Sequence, residues 1–191
     1  EAGVRELVRL VDVITPNLRE LAVLCGTDMA GDLDEAIAQA AGLAADAGTT
    51  VIVKGGHLTG SAADNAVVHP DGTVHHVPTA RIDTVNTHGT GCSLSAALAT
   101  RMAAGESAAE ALEWSTRWLH ESIRHADDLD VGGGHGPVDH FHRNRRLAAA
   151  ADATPWRHLT GTLPSVPAPA PHLAPAGPHT QAMWDATGEV W

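Results

Sequence analysis

An alanine-rich stretch opened by Asp32 or Asp34 ends at Gly48 and runs straight into Thr49-Thr50-Val51-Ile52-Val53, five consecutive β-branched residues. A strand with one wet face alternates apolar and polar side chains. An unbroken β-branched run instead has both faces covered, as strands of parallel α/β sheets do. Helix followed by buried strand is the crossover unit of such a sheet, so the expected fold class is α/β. The same order occurs upstream, where Val4, Leu7, Val8 and Val11 recur at helical spacing before a short run over 12–15 that Pro16 stops.

The remaining punctuation places further elements. Asn17 is a natural N-cap with Glu20 three residues on, and Leu18, Leu21 and Leu24 give a short apolar helix face up to Gly26. After Lys54-Gly55-Gly56, the runs 66–69 and 73–77 flank Pro70-Asp71-Gly72, which predicts a small antiparallel ribbon at the sheet edge. A glycine-rich segment, 84–92, leads into a small-residue helix over 93–104, and Ser107 caps another that reaches about His125. From about Ala148 the character changes. Seven of the eleven prolines lie between Pro155 and Pro178, mixed with alanine, which reads as a linker or disordered tail.

Length and composition narrow the function classes. A chain of 191 residues suits one ordinary α/β domain. Aromatics are 3% of it, with no Tyr and one Phe, so the core must be aliphatic. Twelve Lys+Arg against 23 Asp+Glu give a net charge of −11, the wrong sign for binding a phosphate backbone, and nucleic acid is excluded as an expected partner. No apolar run approaches the ~20 residues of a bilayer span, so no membrane association is expected. Cys25 and Cys92 cannot make a disulfide framework, and a reducing cytoplasmic setting fits them. Eleven of the twelve cations are arginine; the one lysine is Lys54.

Several residues could carry chemistry, each beside a plainer reading. Gly89-Thr90-Gly91-Cys92 opens a helix, where unpaired N–H groups and the dipole favour an anion such as a transferring phosphoryl group; the alternative is a glycine-rich turn without a ligand. In that position Cys92 could act as a base or polarise a hydroxyl, and otherwise it is a small hydrophobe. Asn17 and Glu20 could simply form a capping box, or could stand at a strand's mouth and help hold Mg²⁺ beside nucleotide phosphates. Lys54 ends an apolar strand at the carboxyl edge, where α/β sheets bind ligands; the plain reading is a solvated charge. The thirteen histidines show no helical i, i+4 pairing with a carboxylate, so a histidine metal site is not expected.

Three blocks carry a family resemblance: Asp12-Val13-Ile14-Thr15-Pro16-Asn17-Leu18-x-Glu20, Val51-Ile52-Val53-Lys54-Gly55-Gly56-His57-Leu58, and Asp83-Thr84-x-Asn86-Thr87-His88-Gly89-Thr90-Gly91-Cys92-Ser93-Leu94-Ser95-Ala96-Ala97. In order and spacing they resemble the hydroxymethylpyrimidine/phosphomethylpyrimidine kinases of thiamine biosynthesis, of the ribokinase-like superfamily. Gly134-His135-Gly136-Pro137-Val138-x-His140-Phe141 is similar to that family's closing motif. The resemblance implies a three-layer fold with a mostly parallel sheet and ATP-dependent phosphorylation of hydroxymethylpyrimidine and its monophosphate.

Carried over residue by residue, the resemblance makes Gly89, Thr90, Gly91 and Cys92 the anion hole, with Cys92 as base on the substrate oxygen. Asn17 and Glu20 would organise Mg²⁺ and phosphates, although the same two residues can also cap a helix. Lys54 would lie near the ATP phosphates, with Gly55, Gly56 and His57 in the loop bordering the nucleotide. The implied cofactors are ATP and Mg²⁺, the implied partner a small pyrimidine, and the implied assembly of a full-length enzyme a homo-oligomer.

The likeness covers residues 1–146. The family's first strands and most of its pyrimidine pocket would precede Glu1, so the chain reads as the nucleotide-binding and catalytic half, with a bare sheet edge and an exposed apolar face expected. Residues 147–191 do not match the kinase, and 181–187 resemble the opening helix of thiaminase-II-like domains. A pyridoxal-type vitamin kinase of the same superfamily and a non-catalytic nucleotide-binding fragment are the competing functional readings.

Overall fold

The structure, a computed structural model, describes residues 2–129, 131 and 134–153. The element order is α1 (Ala2–Val8), β1 (Val13–Ile14), α2 (Leu18–Cys25), α3 (Leu33–Ala47), β2 (Thr50–Lys54), β3 (Asn65–Val68), β4 (Val74–Val77), α4 (Thr90–Ala103), α5 (Ala108–Arg124) and α6 (His142–Ala153), with short 3₁₀ turns at Gly55–His57 and Ala126–Asp128. The chain divides into units Glu1–Leu147 and Ala148–Trp191. Of the second unit, only the end of α6 is among the described residues. The proline-rich stretch and the 181–187 resemblance lie outside them.

The four strands form one sheet in the order β1-β2-β3-β4. β1 and β2 pair in parallel, Val13 opposite Thr50, and the β-branched run behaves as its composition demands: Val51, Ile52 and Val53 are essentially fully buried. Side chains on a strand alternate between faces. Val51 and Val53 therefore join Ala66 and Val68 under α2 and α3, while Ile52 and Val67 pack beneath α4 and α5 with Leu94, Leu98 and Leu112. This is the expected three-layer arrangement, and its core is aliphatic.

The sheet itself is mixed. β2 pairs antiparallel with β3, and β3 with β4, so among the described strands the mostly parallel order holds only for β1–β2. The reason lies in the connections, which between β2, β3 and β4 are too short for a crossover helix. Nor is the ribbon decorative, because all four residues of β3 are buried and it contributes Ala66 and Val68 to one core cluster and Val67 to the other. β1 has one strand partner among the described residues, and Val4, Leu7 and Leu10 stand exposed nearby in sequence, in line with the bare edge and apolar face expected.

Local chemistry sets the helix ends. Gly26 (φ 71°) and Gly48 (φ 70°) terminate α2 and α3 in the left-handed region that only glycine enters cheaply. In α3, Ala36, Ala40 and Ala44 form a stripe with no exposure, whose small side chains let the helix lie close on the sheet. α4 begins at Thr90, three residues before the position expected, because Gly89 adopts φ 86° and acts as its N-cap. Gly91 and Cys92 thus belong to the helix's first turn.

Candidate functional site

Three segments far apart in sequence meet at the carboxyl ends of β1 and β2. Thr15, just after β1, shares a 2.7 Å hydrogen bond between hydroxyls with Ser95 of α4. Lys54, the last residue of β2, brings its Nζ to 3.8 Å from where a Cβ on Gly91 would stand. A cleft of about 470 Å³ opens at this junction, lined by Asn17, Lys54, Gly56, His57, Thr90 and Gly91 among others.

The other candidate residues hold different places. Glu20 and Cys92 do not line the cleft, yet both act electrostatically on Lys54. Burial pushes the Lys54 ammonium below the ordinary lysine value, and the charges of Glu20 and then Cys92 oppose that shift. Gly89 supplies the helix cap. Gly55 is buried, and its N–H donates to the Asp64 carbonyl at 2.9 Å.

Asn17 and Glu20 form the complete capping box. The Asn17 N–H donates to Glu20 Oε2 at 2.8 Å, and the Glu20 N–H donates to Asn17 Oδ1 at 2.9 Å. These bonds engage one carboxylate oxygen of Glu20 and leave the other clear of the box. Mg²⁺ keeps most of its waters and needs one or two carboxylates plus phosphate oxygens. An exposed carboxylate within electrostatic reach of Lys54 fits that requirement. A protein-only cage does not: no group of three or more His, Cys, Asp or Glu able to hold a metal ion occurs among the described residues.

The start of α4 is suited to an anion. The Thr90 N–H bonds to Thr87 O at 3.3 Å and the Ser93 N–H to Gly89 O at 2.9 Å, while the amides of Gly91 and Cys92 have no hydrogen-bond partner among the described residues. The first turn contains no acidic residue to offset the positive helix end. Cys92 is exposed there. Cys25, at the end of α2, is half-buried and donates to Gln39 O at 3.5 Å, and burial pushes its thiol above the ordinary value.

A strap from the C-terminal side fixes this turn. His88 N–H donates to Gly136 O (3.1 Å) and Val138 N–H to His88 O (3.3 Å). Gly136 N–H donates to Asn86 Oδ1 (3.0 Å), whose Nδ2 donates to Asp127 (2.7 Å). Hydrogen bonds from Thr84 and Asn86 hold the Asp127 carboxyl below its usual value. His140 shares a 2.7 Å hydrogen bond with Ser93. The closing motif therefore acts at a separation of about fifty residues, on the segment that leads into the candidate anion site.

Sequence reasoning missed the cleft's other wall. Thr116, Leu119, His120 and Ile123 of α5 line it, as do Asn65 of β3 and residues 79–82. Their i, i+3, i+4, i+7 spacing on α5 was a readable sign of a common face. Asn65 donates from Nδ2 to Thr116 Oγ1 at 3.1 Å, tying β3 to α5 beside the cleft. Nothing in the local sequence marked Arg81.

Comparison with known proteins gives three consistent matches. The profile of the phosphomethylpyrimidine kinase family matches residues 1–139. The thiamine biosynthesis multifunctional protein ThiED of Corynebacterium efficiens is 63% identical over 193 residues, covering 97% of this chain and 26% of that protein. The hydroxymethylpyrimidine/phosphomethylpyrimidine kinase of Rhizobium meliloti is 44% identical over 142 residues, covering 74% of this chain and 53% of that one. Among solved structures, an ADP complex of Bacillus subtilis pyridoxal kinase aligns with a TM-score of 0.68 at 29% identity, over 75% of this chain and 53% of that one. The chain thus spans about a quarter of the first relative and about half of the second.

Proposed function

Because this chain belongs to the phosphomethylpyrimidine kinase family, we propose that it carries the nucleotide-binding and phosphoryl-transfer half of a kinase that phosphorylates hydroxymethylpyrimidine and its monophosphate with ATP. The observation that carries the reading is the convergence of Lys54, Asn17 and Gly91 on one cleft, where α4 begins with the unpartnered amides of Gly91 and Cys92. A phosphoryl group in transfer demands little covalent chemistry from a protein; it demands positioning and stabilisation of negative charge.

In this reading Lys54 pairs with the ATP phosphates, and its electrostatic link to Glu20 and Cys92 keeps a cation available in a half-buried place. The N–H groups of Gly91 and Cys92 donate to oxygens of the phosphoryl group as it moves. The acceptor oxygen attacks the γ-phosphorus, the bond from that phosphorus to ADP breaks, and the acceptor's proton passes to Cys92 Sγ. Mg²⁺, when bound, neutralises phosphate charge, and the free carboxylate oxygen of Glu20 would hold it through water. Thr87, His57 and Gly56 border the nucleotide, and the apolar wall of Leu119, Ile123 and Ile82 suits the face of a base.

The fold likeness to pyridoxal kinase favours a second substrate ring, but the identities of 63% and 44% to thiamine-pathway proteins weigh toward the pyrimidine. Residues 1–146 would form the kinase portion. The ThiED match extends to 97% of the chain and the Rhizobium kinase match to 74%, which supports 147–191 as a linker or tail outside the kinase portion, with 181–187 as the start of a thiaminase-II-like domain. The test is steady-state turnover of hydroxymethylpyrimidine against pyridoxal by the complete polypeptide, with Cys92→Ala alongside. Loss of a general base costs about 10²–10⁴ in rate. Preference for pyridoxal overturns the substrate assignment, and near wild-type turnover by Cys92→Ala overturns the base.

A further inference from the structure

The loop 55–62, which borders the cleft through Gly56 and His57, is wound around one guanidinium. Arg81 donates from Nε to Gly60 O at 2.8 Å, from Nη1 to Gly56 O at 2.9 Å, and from Nη2 to Leu58 O and to Ala62 O at 3.1 Å. The Arg81 backbone N–H donates to Ser61 O at 2.8 Å. Four carbonyls at alternate positions thus face one planar cation, engaging four of its five N–H donors. Arg81 makes no ion pair among the described residues, so its partners within the protein are carbonyl dipoles. Arg81 also lines the cleft that Lys54 lines.

This arrangement answers a specific difficulty. The loop contains Gly55, Gly56 and Gly60, the last at φ 108°, and glycines lose the most conformational freedom when ordered. The loop's own backbone bonds are few: Gly55 N–H to Asp64 O, Leu58 N–H to Gly55 O in the 3₁₀ turn, and Ser61 O accepting from the Arg81 N–H. We propose that Arg81 is a positioning residue for nucleotide binding: its guanidinium holds loop 55–62 as a preformed rim, so that binding does not bear the cost of ordering it. The proposal rests on the nucleotide reading of the cleft. Lysine cannot replace the device, because a compact ammonium with three donors does not span four carbonyls in a plane.

The test uses the complete chain, with ADP as the probe, in three forms: unsubstituted, Arg81→Lys and Arg81→Met. Isothermal titration reads ADP affinity, and amide hydrogen exchange reads residues 56–62 against β2 and α5. The expected result is faster exchange confined to 56–62 in both variants, with strand and helix protection retained. ADP Kd should rise about 10-fold in Arg81→Met, the size of an ordering cost of about 1.4 kcal/mol, and by less in Arg81→Lys. Unchanged exchange over 56–62 in Arg81→Met overturns the clamp. A loosened loop with unchanged ADP affinity overturns the positioning role. If the unsubstituted chain binds no ADP, the nucleotide reading and the positioning role both fall, whereas the exchange data still judge the clamp by itself.

Discussion

Gly55 and Gly56 are neighbours in one motif, yet the structure assigns them opposite sensitivities. A Cβ on Gly55 would overlap the Asp64 carbonyl oxygen and stand 3.2 Å from its carbonyl carbon, and both are backbone atoms of the residue just before β3. The clash cannot be relieved by turning a side chain. Relief requires β3 to move away from β2 next to the Lys54–Asn65 pair, which also breaks the 2.9 Å bond from Gly55 N–H to Asp64 O. Overpacking of this kind costs about 1–3 kcal/mol, and the lost hydrogen bond about 1 kcal/mol. The loss of unfolded-state freedom on Gly→Ala returns about 0.5 kcal/mol. Gly55→Ala should therefore destabilise the chain by about 1.5–3.5 kcal/mol, lowering Tm by about 3–14 °C for a domain of this size.

Gly56 provides the internal control. Nothing lies within 4 Å of its Cβ position and its φ is not positive, so Gly56→Ala should leave stability within about 0.5 kcal/mol. Because Gly56 lines the cleft, that substitution should instead weaken nucleotide binding. Urea unfolding of both variants at constant m-value separates the two effects. Equal midpoints for the two alanine variants, or a Gly55→Ala midpoint equal to wild type, would refute the reasoning.

Other expectations follow from the same geometry. Lys54→Met should abolish tight ADP binding without lowering stability at neutral pH, since burial already disfavours the ammonium. The folded chain releases that proton at lower pH than the unfolded chain, so wild-type stability should rise as pH climbs toward 10.5, and this rise should be missing in Lys54→Met pH-dependent melts. Glu121 is held below the ordinary carboxylate range, first by the hydrogen bond with His142 and also by Arg143. Its stabilising contribution is present above 4.5 and fades as pH falls through the lowered folded value, so Glu121→Gln should flatten the acid limb of stability against pH. Gly136→Ala would drive a Cβ into the Asn86 amide and free that amide from the Gly136 N–H. Faster hydrogen exchange over 86–92 with the sheet unaltered is expected, and unchanged exchange there would detach the strap from the anion site.

Most elements were legible because their signals are local. Asn17 and Ser107 cap α2 and α5 through side chains three residues away, Gly26 and Gly48 end helices where φ must be positive, and Pro70-Asp71-Gly72 joins two strands. The motif blocks were legible too, and Asn17, Lys54, Gly56, His57, Thr87, Thr90 and Gly91 from them do line one cleft. The Arg81 clamp, the α5 wall and the Asn86–Gly136 contact were not, for they join residues separated by about twenty to sixty positions.

By itself, then, the sequence determined the α/β class, the helix ends, the aliphatic core and the family, since each follows from side-chain type, spacing or local backbone freedom. Only the tertiary structure decided that β3 is an interior strand paired antiparallel with β2, that Gly55 is locked where Gly56 is open, and that Lys54 stands against Gly91. Those outcomes depend on which surfaces meet when both faces of the sheet are buried together, and no short window of residues contains that information.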